Sequence, residues 1–451
     1  MFRALRFMVV IGALSVVAAW LADNPGSVTM QWRGYRLDTS FSLLLTAIII
    51  IAVTAALFYR FWLFICRSPA DISRLWREGR RRKGYMALTR GLVAVAAGDV
   101  EEAGRQSKRA EALLEDPPLT MLLSAQASQL GGDEMAAGKF FNAMREKTET
   151  EFLGLRGLLT QAMRRRNWNE ALQLAQRAYA LRPKSGWVAA NLFDLQVRSG
   201  HWQDAMATLK DAVDNKLVTP AVGVRRRAVL EYQLSLAASG AGNVSQAMKH
   251  AGKAHDLSRE FVPASIRLAR LYVDADKMRK ATGVIESAWK FNPHPDLVEI
   301  YRRAKSADDA MAGVRAAQSL ARHNPGHMES RIAVAAAALE ADLWGEARKH
   351  LTEIANIDAP VGVCRLMAEL EEREHGNLTG AREWLMRAST AEADPAWVCE
   401  HCGNTVEEWS VLCGKCEQFD PFSWRTPSHV ACLAAQAPPP AALPALEGEA
   451  D

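Results

Sequence analysis

Four of the chain's seven cysteines form two Cys-x-x-Cys pairs near its C-terminal end, Cys399 with Cys402 and Cys413 with Cys416. Two residues between the cysteines let one short turn present both sulfur atoms to the same ion, and Gly403 suits the tight bend that follows the first pair. Ten residues separate the pairs, a spacing typical of a tetrahedral four-thiolate site. The sequence therefore predicts a metal centre at these four cysteines.

The ion itself is not fixed by this spacing, because four thiolates bind either zinc or iron; zinc is the expected ion and iron stays open. Since the protein would supply all four ligands, no position is left for water, and the site is predicted to be structural rather than catalytic. Two disulfides are not expected in a reducing cytoplasm.

Residues 397–427 are predicted to fold around this centre as a small module. A fold this short needs its metal and its aromatic side chains to build a core. Some of the rings are alternatively expected to pack against the last repeat or a partner. Residues 428–451, rich in Ala and Pro, are predicted to be a disordered tail. The rings of the module belong to Trp397, Trp409, Phe419, Phe422 and Trp424.

The residues before the module carry a repeat with a period of 34 residues. Counting from Ala171, a small residue recurs at this interval in both directions, with one eight-residue insertion and one two-residue deletion. A small side chain lets two helices pack closely, so its recurrence predicts stacked helix pairs. The phased residues are Ala103, Ala137, Ala171, Ala205, Ala247, Ala281, Gly313, Ala347 and Ala381.

Glycines five positions before most phased residues predict the turn inside each pair. The predicted fold class is therefore all-α, with an α-solenoid over residues 84–389. Larger residues interrupt the pattern at Leu159, Phe193, Tyr301 and Glu369. The turn glycines are Gly98, Gly132, Gly200, Gly242 and Gly376.

Two hydrophobic segments precede the repeats. Residues 7–22 are uncharged and follow Arg3 and Arg6, and residues 41–58 are uncharged and rich in Leu, Ile and Val. Both are predicted to span a membrane. The first also fits a secretory signal peptide, but the second segment disfavours that interpretation. Residues 1–66 are predicted to form an anchor of two transmembrane helices with a short external hairpin around Gly34.

Basic residues set the predicted orientation. Residues 60–83 contain eight Lys or Arg and two acids, whereas the loop between the two segments is balanced in charge. Because excess positive charge marks the cytoplasmic side, both termini and the repeats are predicted to be cytoplasmic. The basic segment at residues 67–83 either only sets this topology or lies on anionic headgroups.

Composition and the remaining motifs exclude several classes of function. A net charge of +4 is too small to predict nucleic-acid binding. The sequence has no zinc-protease helix, phosphate-binding loop or nucleophile elbow, so the chain is not predicted to be an enzyme. The arginine runs at residues 164–166 and 225–227 fit either solvated helix ends or a surface for an acidic partner. His323 and His327 flank a Pro-Gly turn and are not predicted to bind metal.

The period and its small residues resemble the tetratricopeptide repeat. Together with the two hydrophobic segments, further motifs resemble the bacterial inner-membrane HemY family, which is associated with protohaem IX synthesis. The resemblance covers residues 1–389 and implies a membrane-held scaffold without catalytic role, with protein partners, expected to be late haem-pathway enzymes, in the solenoid groove. The motifs are Asn24-Pro25-Gly26, Trp32-Arg-Gly-Tyr35, Phe152-Leu-Gly-Leu-Arg-Gly157 and Trp168-Asn-Glu-Ala171.

A second resemblance is to LapB, an envelope-assembly adaptor that controls lipopolysaccharide synthesis through a membrane protease. That adaptor has an N-terminal anchor, tetratricopeptide repeats and a rubredoxin-like cysteine module similar to residues 397–427, but only one span. The second hydrophobic segment and the hairpin favour the HemY-like interpretation. Haem binding stays open, although Gly403 and Glu417 follow the two pairs where a covalent haem attachment motif would have histidine.

Overall fold

A computed structural model describes residues 2–23, 26–32, 34–114, 117–355 and 359–427. The chain forms two compact units, residues 1–131 and residues 132–451. Helices dominate both units, as predicted, and two small sheets accompany them. The predicted disordered tail at residues 428–451 lies outside the described residues.

The N-terminal unit begins with helix α1 (Phe2–Asp23) and a hairpin of β1 (Ser27–Trp32) and β2 (Tyr35–Ser40). The two strands are antiparallel, with Trp32 opposite Tyr35 and Ser27 opposite Ser40. Gly34 lies in the turn with φ of 90°, a conformation that glycine adopts without strain. The predicted hairpin is therefore confirmed.

The anchor differs from the prediction in the number of spans. Among the described residues, one helical segment is long and apolar enough to cross a membrane, Phe41–Leu63, with 23 residues. The predicted pair of spans is not supported, and neither is the predicted multi-pass topology. The reason is length: the uncharged run at residues 7–22 has 16 residues, whereas a hydrocarbon core of about 30 Å needs about 20.

The same helix continues far beyond the span. Helix α2 (Phe41–Ala97) has 57 residues, or about 85 Å at a rise of 1.5 Å per residue. The basic segment predicted at residues 67–83 therefore lies inside this helix rather than forming an element of its own. Helix α2 ends at Gly98, whose φ of 77° is left-handed and whose N–H bonds to the carbonyls of Ala94 and Val95.

Helices α3 (Val100–Leu113) and α4 (Pro117–Leu130) complete the N-terminal unit. They pack closely on α2 because glycines face them. A Cβ atom added at Gly84 would lie 2.6 Å from Leu114, and one at Gly91 would lie 2.6 Å from Leu123. The C-terminal part of α2 thus serves as the first helix of the helical repeats.

The second unit is built from helices that pair in chain order, each pair joined by a short turn. From Ala171 onward, the phased small residues lie in the second helix of each pair and are buried, which confirms the predicted period; Ala171, Ala205 and Ala247 are 0% exposed. The helices are α5 (Glu134–Arg145), α6 (Glu151–Arg164), α7 (Trp168–Leu181), α8 (Gly186–Arg198), α9 (Trp202–Asp214), α10 (Pro220–Gly240), α11 (Val244–Leu257), α12 (Val262–Asp274), α13 (Met278–Phe291), α14 (Pro295–Ala304), α15 (Ala310–Ala321), α16 (Met328–Glu340), α17 (Trp344–Ile354), α18 (Val361–His375) and α19 (Leu378–Ala388).

The turn inside each pair needs a left-handed residue. All five predicted turn glycines have positive φ, as expected. Arg166, Asp276 and Asp342 occupy the same position in other pairs with φ of 56°, 55° and 56°. A non-glycine residue in this conformation costs about 1 kcal/mol, so these three pairs keep the turn at the expense of some local stability.

The first helices of successive pairs contact one another along one side of the second unit, since α10, α12, α14, α16 and α18 touch in turn. We call the surface formed by α6, α8, α10, α12 and α14 the inner face. Larger residues at the irregular positions, such as Phe193 and Tyr301, are buried beside it at 3% and 1% exposure.

The C-terminal module contains strands as well as turns. Strands β3 (Ala396–Cys399), β4 (Thr405–Val406) and β5 (Phe422–Arg425) form a sheet in the order β4-β3-β5. Both pairings are antiparallel, and Trp397 lies opposite Trp424. This small sheet was not predicted, because strands of two to four residues leave no alternating pattern long enough to recognise.

Candidate metal centre

Two tight turns present the four cysteines. In the first, the N–H of Gly403 donates to the Cys399 carbonyl at 2.9 Å, and Gly403 has φ of 68°. In the second, the N–H of Glu417 donates to the Cys413 carbonyl at 2.8 Å, and Glu417 has φ of 57°. The two turns are therefore alike, with Glu417 taking the left-handed role that glycine fills in the first.

The four sulfur atoms converge as predicted, and all lie within 4.8 Å of one another. The Sγ atoms of Cys399 and Cys416 are 3.6 Å apart, and those of Cys402 and Cys413 are 3.7 Å apart. A tetrahedral ion with bonds of about 2.3 Å to sulfur separates its ligands by about 3.8 Å, whereas a disulfide bond is about 2.05 Å long. The cluster thus fits a four-coordinate metal.

The protonation of the thiols also favours a cation. Burial raises the pKa of Cys413, but the backbone N–H groups of Cys416 and Lys415 outweigh it and lower this pKa to about 7. Burial raises the pKa of Cys416 to about 12. Without a positive ion, the site would hold some thiols protonated. A bound cation stabilises all four thiolates together.

The module does not stand apart from the repeats. Trp397, Cys399 and Phe422 are buried in the same hydrophobic core as Trp289 and Leu297 of the helix pairs. His294, which precedes α14, packs against two rings of the module. Its ring centroid lies 5.5 Å from that of Trp397 and 4.1 Å from that of Trp424. The sheet of the module therefore shares its core with α12, α13 and α14.

The second cysteine turn packs on α8 and α10. Trp409 contacts Tyr232 and Phe261 edge-on, with centroid distances of 5.3 and 4.9 Å. Phe419 contacts Phe193 at 5.2 Å. Sequence analysis left two roles open for the aromatic residues of the module, and these contacts show that they pack on the middle repeats rather than on the last one.

Ion pairs also hold the second cysteine turn of the module on the repeats. Arg225 donates two hydrogen bonds to the Asp420 carboxylate, at 2.7 and 2.9 Å. Arg198 forms an ion pair with Glu417 and also donates to its carbonyl at 3.2 Å, while Arg166 lies 3.6 Å from the Glu417 carboxylate. Burial raises the pKa of Asp420, and Arg225 opposes that rise.

The sequence left open whether the two arginine runs are solvated helix ends or a surface for an acidic partner. In the structure, one residue of each run, Arg166 and Arg225, pairs with an acid of its own chain. Sequence reasoning missed Arg198, which is 219 residues from its partner Glu417, and no local signal marks the pair. The module packs on side chains of α8, α10, α12 and α14, so the chain itself covers that part of the inner face.

The two histidines of the Pro-Gly turn, His323 and His327, do not belong to the cysteine cluster. His327 caps α16 by accepting a hydrogen bond from the Glu329 N–H at 3.2 Å, consistent with the predicted turn. Among the residues that the structure describes, the four cysteines form the only cluster arranged to hold a metal.

Acidification tests the contact between His294 and the module. Burial lowers the pKa of His294 to about 4, with Asp296 opposing the shift. The unfolded chain takes up this proton near pH 6.5, so the neutral folded form loses stability as the pH falls from 6.5 towards 4. We expect about 2 kcal/mol less free energy of unfolding at pH 5 than at pH 7 from this group.

The contribution of His294 is obtained as the difference between the wild type and a variant that lacks this histidine. Glu329 contributes in the opposite sense, because burial raises its pKa to about 7. Urea unfolding of the wild type and of His294→Gln at both pH values cancels that contribution. Equal pH dependence in the two proteins would contradict the assignment.

The fold and the site define a class of protein: a tetratricopeptide-repeat protein with an N-terminal apolar helix and a C-terminal four-cysteine module. Residues 162–222 match the family described as tetratricopeptide repeat. Residues 26–132 match the family described as HemY protein N-terminus. The chain thus carries the N-terminal region of the HemY family followed by tetratricopeptide repeats.

Two curated relatives extend this result. The chain is 26% identical over 425 residues to the probable magnetosome protein Mms48 of Magnetospirillum gryphiswaldense, which covers 94% of this chain and 93% of that protein. It is 27% identical over 237 residues to protein HemY of Escherichia coli K12, which covers 52% of this chain and 58% of that protein. The chain therefore matches a little over half the length of HemY.

Among solved structures, the chain has a distant match to that of Naa15/Naa10 bound to HypK-THB. It has 14% sequence identity and a TM-score of 0.39, and the match covers 71% of this chain and 60% of that chain. A likeness this distant carries no argument about function.

Proposed function

We propose that this protein is a membrane-anchored scaffold that recruits or organises protein partners, in late haem biosynthesis. The match of residues 26–132 to the HemY N-terminus carries the proposal. The helical repeats support it, because stacked helix pairs build extended surfaces for binding proteins rather than reaction centres. An anchor confines such a scaffold to the bilayer and raises the local concentration of partners there.

The anchor in this proposal is the Phe41–Leu63 segment of α2, in the bacterial inner membrane. The basic residues that follow it favour a cytoplasmic position for the repeats. Zinc is the ion proposed for the four cysteines, with a structural role.

A second candidate function is the organisation of a membrane compartment. It is favoured by the similarity to a magnetosome protein over 94% of the chain. A third, the lipopolysaccharide adaptor, is favoured by the four-cysteine module. The three predict different partners: haem-pathway enzymes, magnetosome proteins, or a membrane protease with lipopolysaccharide enzymes. Affinity purification of the full chain from detergent-solubilised membranes separates them.

Deletion of residues 1–83 tests confinement at the membrane. The deletion leaves Gly84–Ala97 of α2 to pack on α3 and α4, so the repeats should fold as a soluble protein. We expect this fragment to fail to complement a strain lacking the protein. Restoring residues 1–83 with an unrelated 23-residue span in place of Phe41–Leu63 should recover function. Full complementation by the soluble fragment would contradict the proposal.

A further inference from the structure

The inner face beneath the second cysteine turn is both basic and aromatic. We define the arginine surface as Arg166, Arg198 and Arg225 together with Phe193 and Tyr232. The three arginines come from the end of α6, from α8 and from α10, and all three pair with acids of the module. The arginine surface therefore presents guanidinium groups beside aromatic rings. This combination suits a ligand that carries carboxylates next to an aromatic side chain.

The repeats themselves hold these arginines in place. The Arg198 guanidinium lies 5.0 Å from the centroid of the Trp168 ring, and that of Arg225 lies 4.3 Å from the centroid of the Phe261 ring. Neither ring belongs to the module. A guanidinium stacked on a ring keeps its orientation, so Arg198 and Arg225 are oriented in part by contacts that do not involve the module.

The segment that covers this surface carries two acids close to an aromatic residue. We call residues 409–420 the acidic knuckle; it contains Cys413 and Cys416 as well as Glu417, Phe419 and Asp420. Phe419 packs on Phe193 between the two acids that bind arginines. The knuckle thus presents an acid-x-aromatic-acid sequence to the surface, in the manner of a bound peptide.

The two halves of the module are held differently. Trp397, Cys399 and Phe422 of the sheet half are buried in the core of the repeats. In the knuckle, Trp409 and Phe419 are only half-buried, and a cleft of about 600 Å³ opens beside Asp420 between the module and helices α10 and α12. Removing the metal would release Cys413 and Cys416 from the other two cysteines, while the chain still joins the knuckle to β4 and β5 and two ion pairs still hold it on the repeats.

We propose that the arginine surface is a docking site for a partner segment in which acidic residues flank an aromatic residue, and that the acidic knuckle occupies this site while the metal is bound. The inference rests on the proposed scaffold function, because it names the class of partner that the inner face takes. Exchange needs no covalent chemistry, since the carboxylates and ring of the partner replace those of Glu417, Asp420 and Phe419.

A fluorescent peptide tests the exchange directly. The probe carries residues 406–421 with both cysteines replaced by serine, and its binding to the full chain in detergent is followed by anisotropy. Zinc-loaded protein should bind the peptide about tenfold or more weakly than protein stripped by a chelator. A peptide with lysine in place of Glu417 and Asp420 should bind to neither form.

A pair of matched variants locates the site. Arg198→Glu combined with Arg225→Glu should abolish peptide binding to the stripped protein. Arg109→Glu combined with Arg315→Glu, which changes two exposed arginines elsewhere, should leave binding unchanged. Equal binding by both double variants would overturn the inference.

Stripping could also unfold the repeats, so a second variant avoids it. Glu417→Arg combined with Asp420→Arg repels the knuckle from the surface with zinc still bound, and this protein should bind the peptide that keeps Glu417 and Asp420. Absence of binding to this variant, or to a stripped protein that keeps its helical circular dichroism, would overturn the inference. If the anchored protein meanwhile still complements and retains its partners, the scaffold function stands and only this docking site falls.

Discussion

Replacing Cys399 by serine is expected to destabilise the repeats as well as the cysteine module. The sequence alone predicts that only the module unfolds, because residues 397–427 are predicted to fold as a separate module. In the structure, Cys399 is 0% exposed and shares a core with α12, α13 and α14. Loss of the metal and burial of a hydroxyl should therefore lower the free energy of unfolding of the helical part by about 3 kcal/mol or more.

The measurement is a thermal melt followed at 222 nm, with zinc content determined on the same sample. Cys364→Ser is the matched control, because Cys364 is also a buried cysteine but lies outside the cluster. It should keep its zinc. A helical transition at the wild-type temperature in Cys399→Ser, preceded by separate melting of the module, would show that the shared core does not couple them.

Gly154→Ala is expected to destabilise the repeats by about 2 to 3 kcal/mol, although alanine favours a helix by about 1 kcal/mol over glycine. A Cβ atom at Gly154 would lie 2.5 Å from the Phe141 carbonyl oxygen and 2.6 Å from the Arg145 backbone nitrogen. Backbone atoms cannot rotate away, so α5 and α6 would have to separate.

Gly252→Ala provides a control of opposite sign. Gly252 lies inside α11, and a Cβ atom there meets nothing within 4 Å. This change should stabilise by about 0.5 to 1 kcal/mol through helix propensity alone. Urea unfolding of the three proteins gives both values, and a stabilised Gly154→Ala protein would rule out the close approach of α5 and α6.

The helical repeats could be predicted because their constraints are local. Ala171 marks a close helix contact and Gly200 marks a left-handed turn within one repeat, and each recurs in phase. The metal cluster was equally accessible, because two Cys-x-x-Cys turns encode their own geometry. Arg166, Asp276 and Asp342 were missed as turn residues because their side chains do not signal the left-handed conformation that the fold imposes.

The docking of the module could not be predicted from the sequence. Arg225 and Asp420 are 195 residues apart, and nothing near either residue identifies the other. The length of α2 was also missed. The basic run at residues 67–83 suggested a separate segment, yet arginine is a good helix former and the helix continues through it.

With Phe41–Leu63 as the proposed span, the unbroken course of α2 would carry any tilt of that span to the first repeat. From Leu63 to Ala97 the helix extends about 50 Å beyond the span, so a change of 10° in tilt would swing its far end by about 9 Å. Because α3 and α4 pack on that end, they move with it. A change in bilayer thickness that tilts the span would then displace the first repeat sideways.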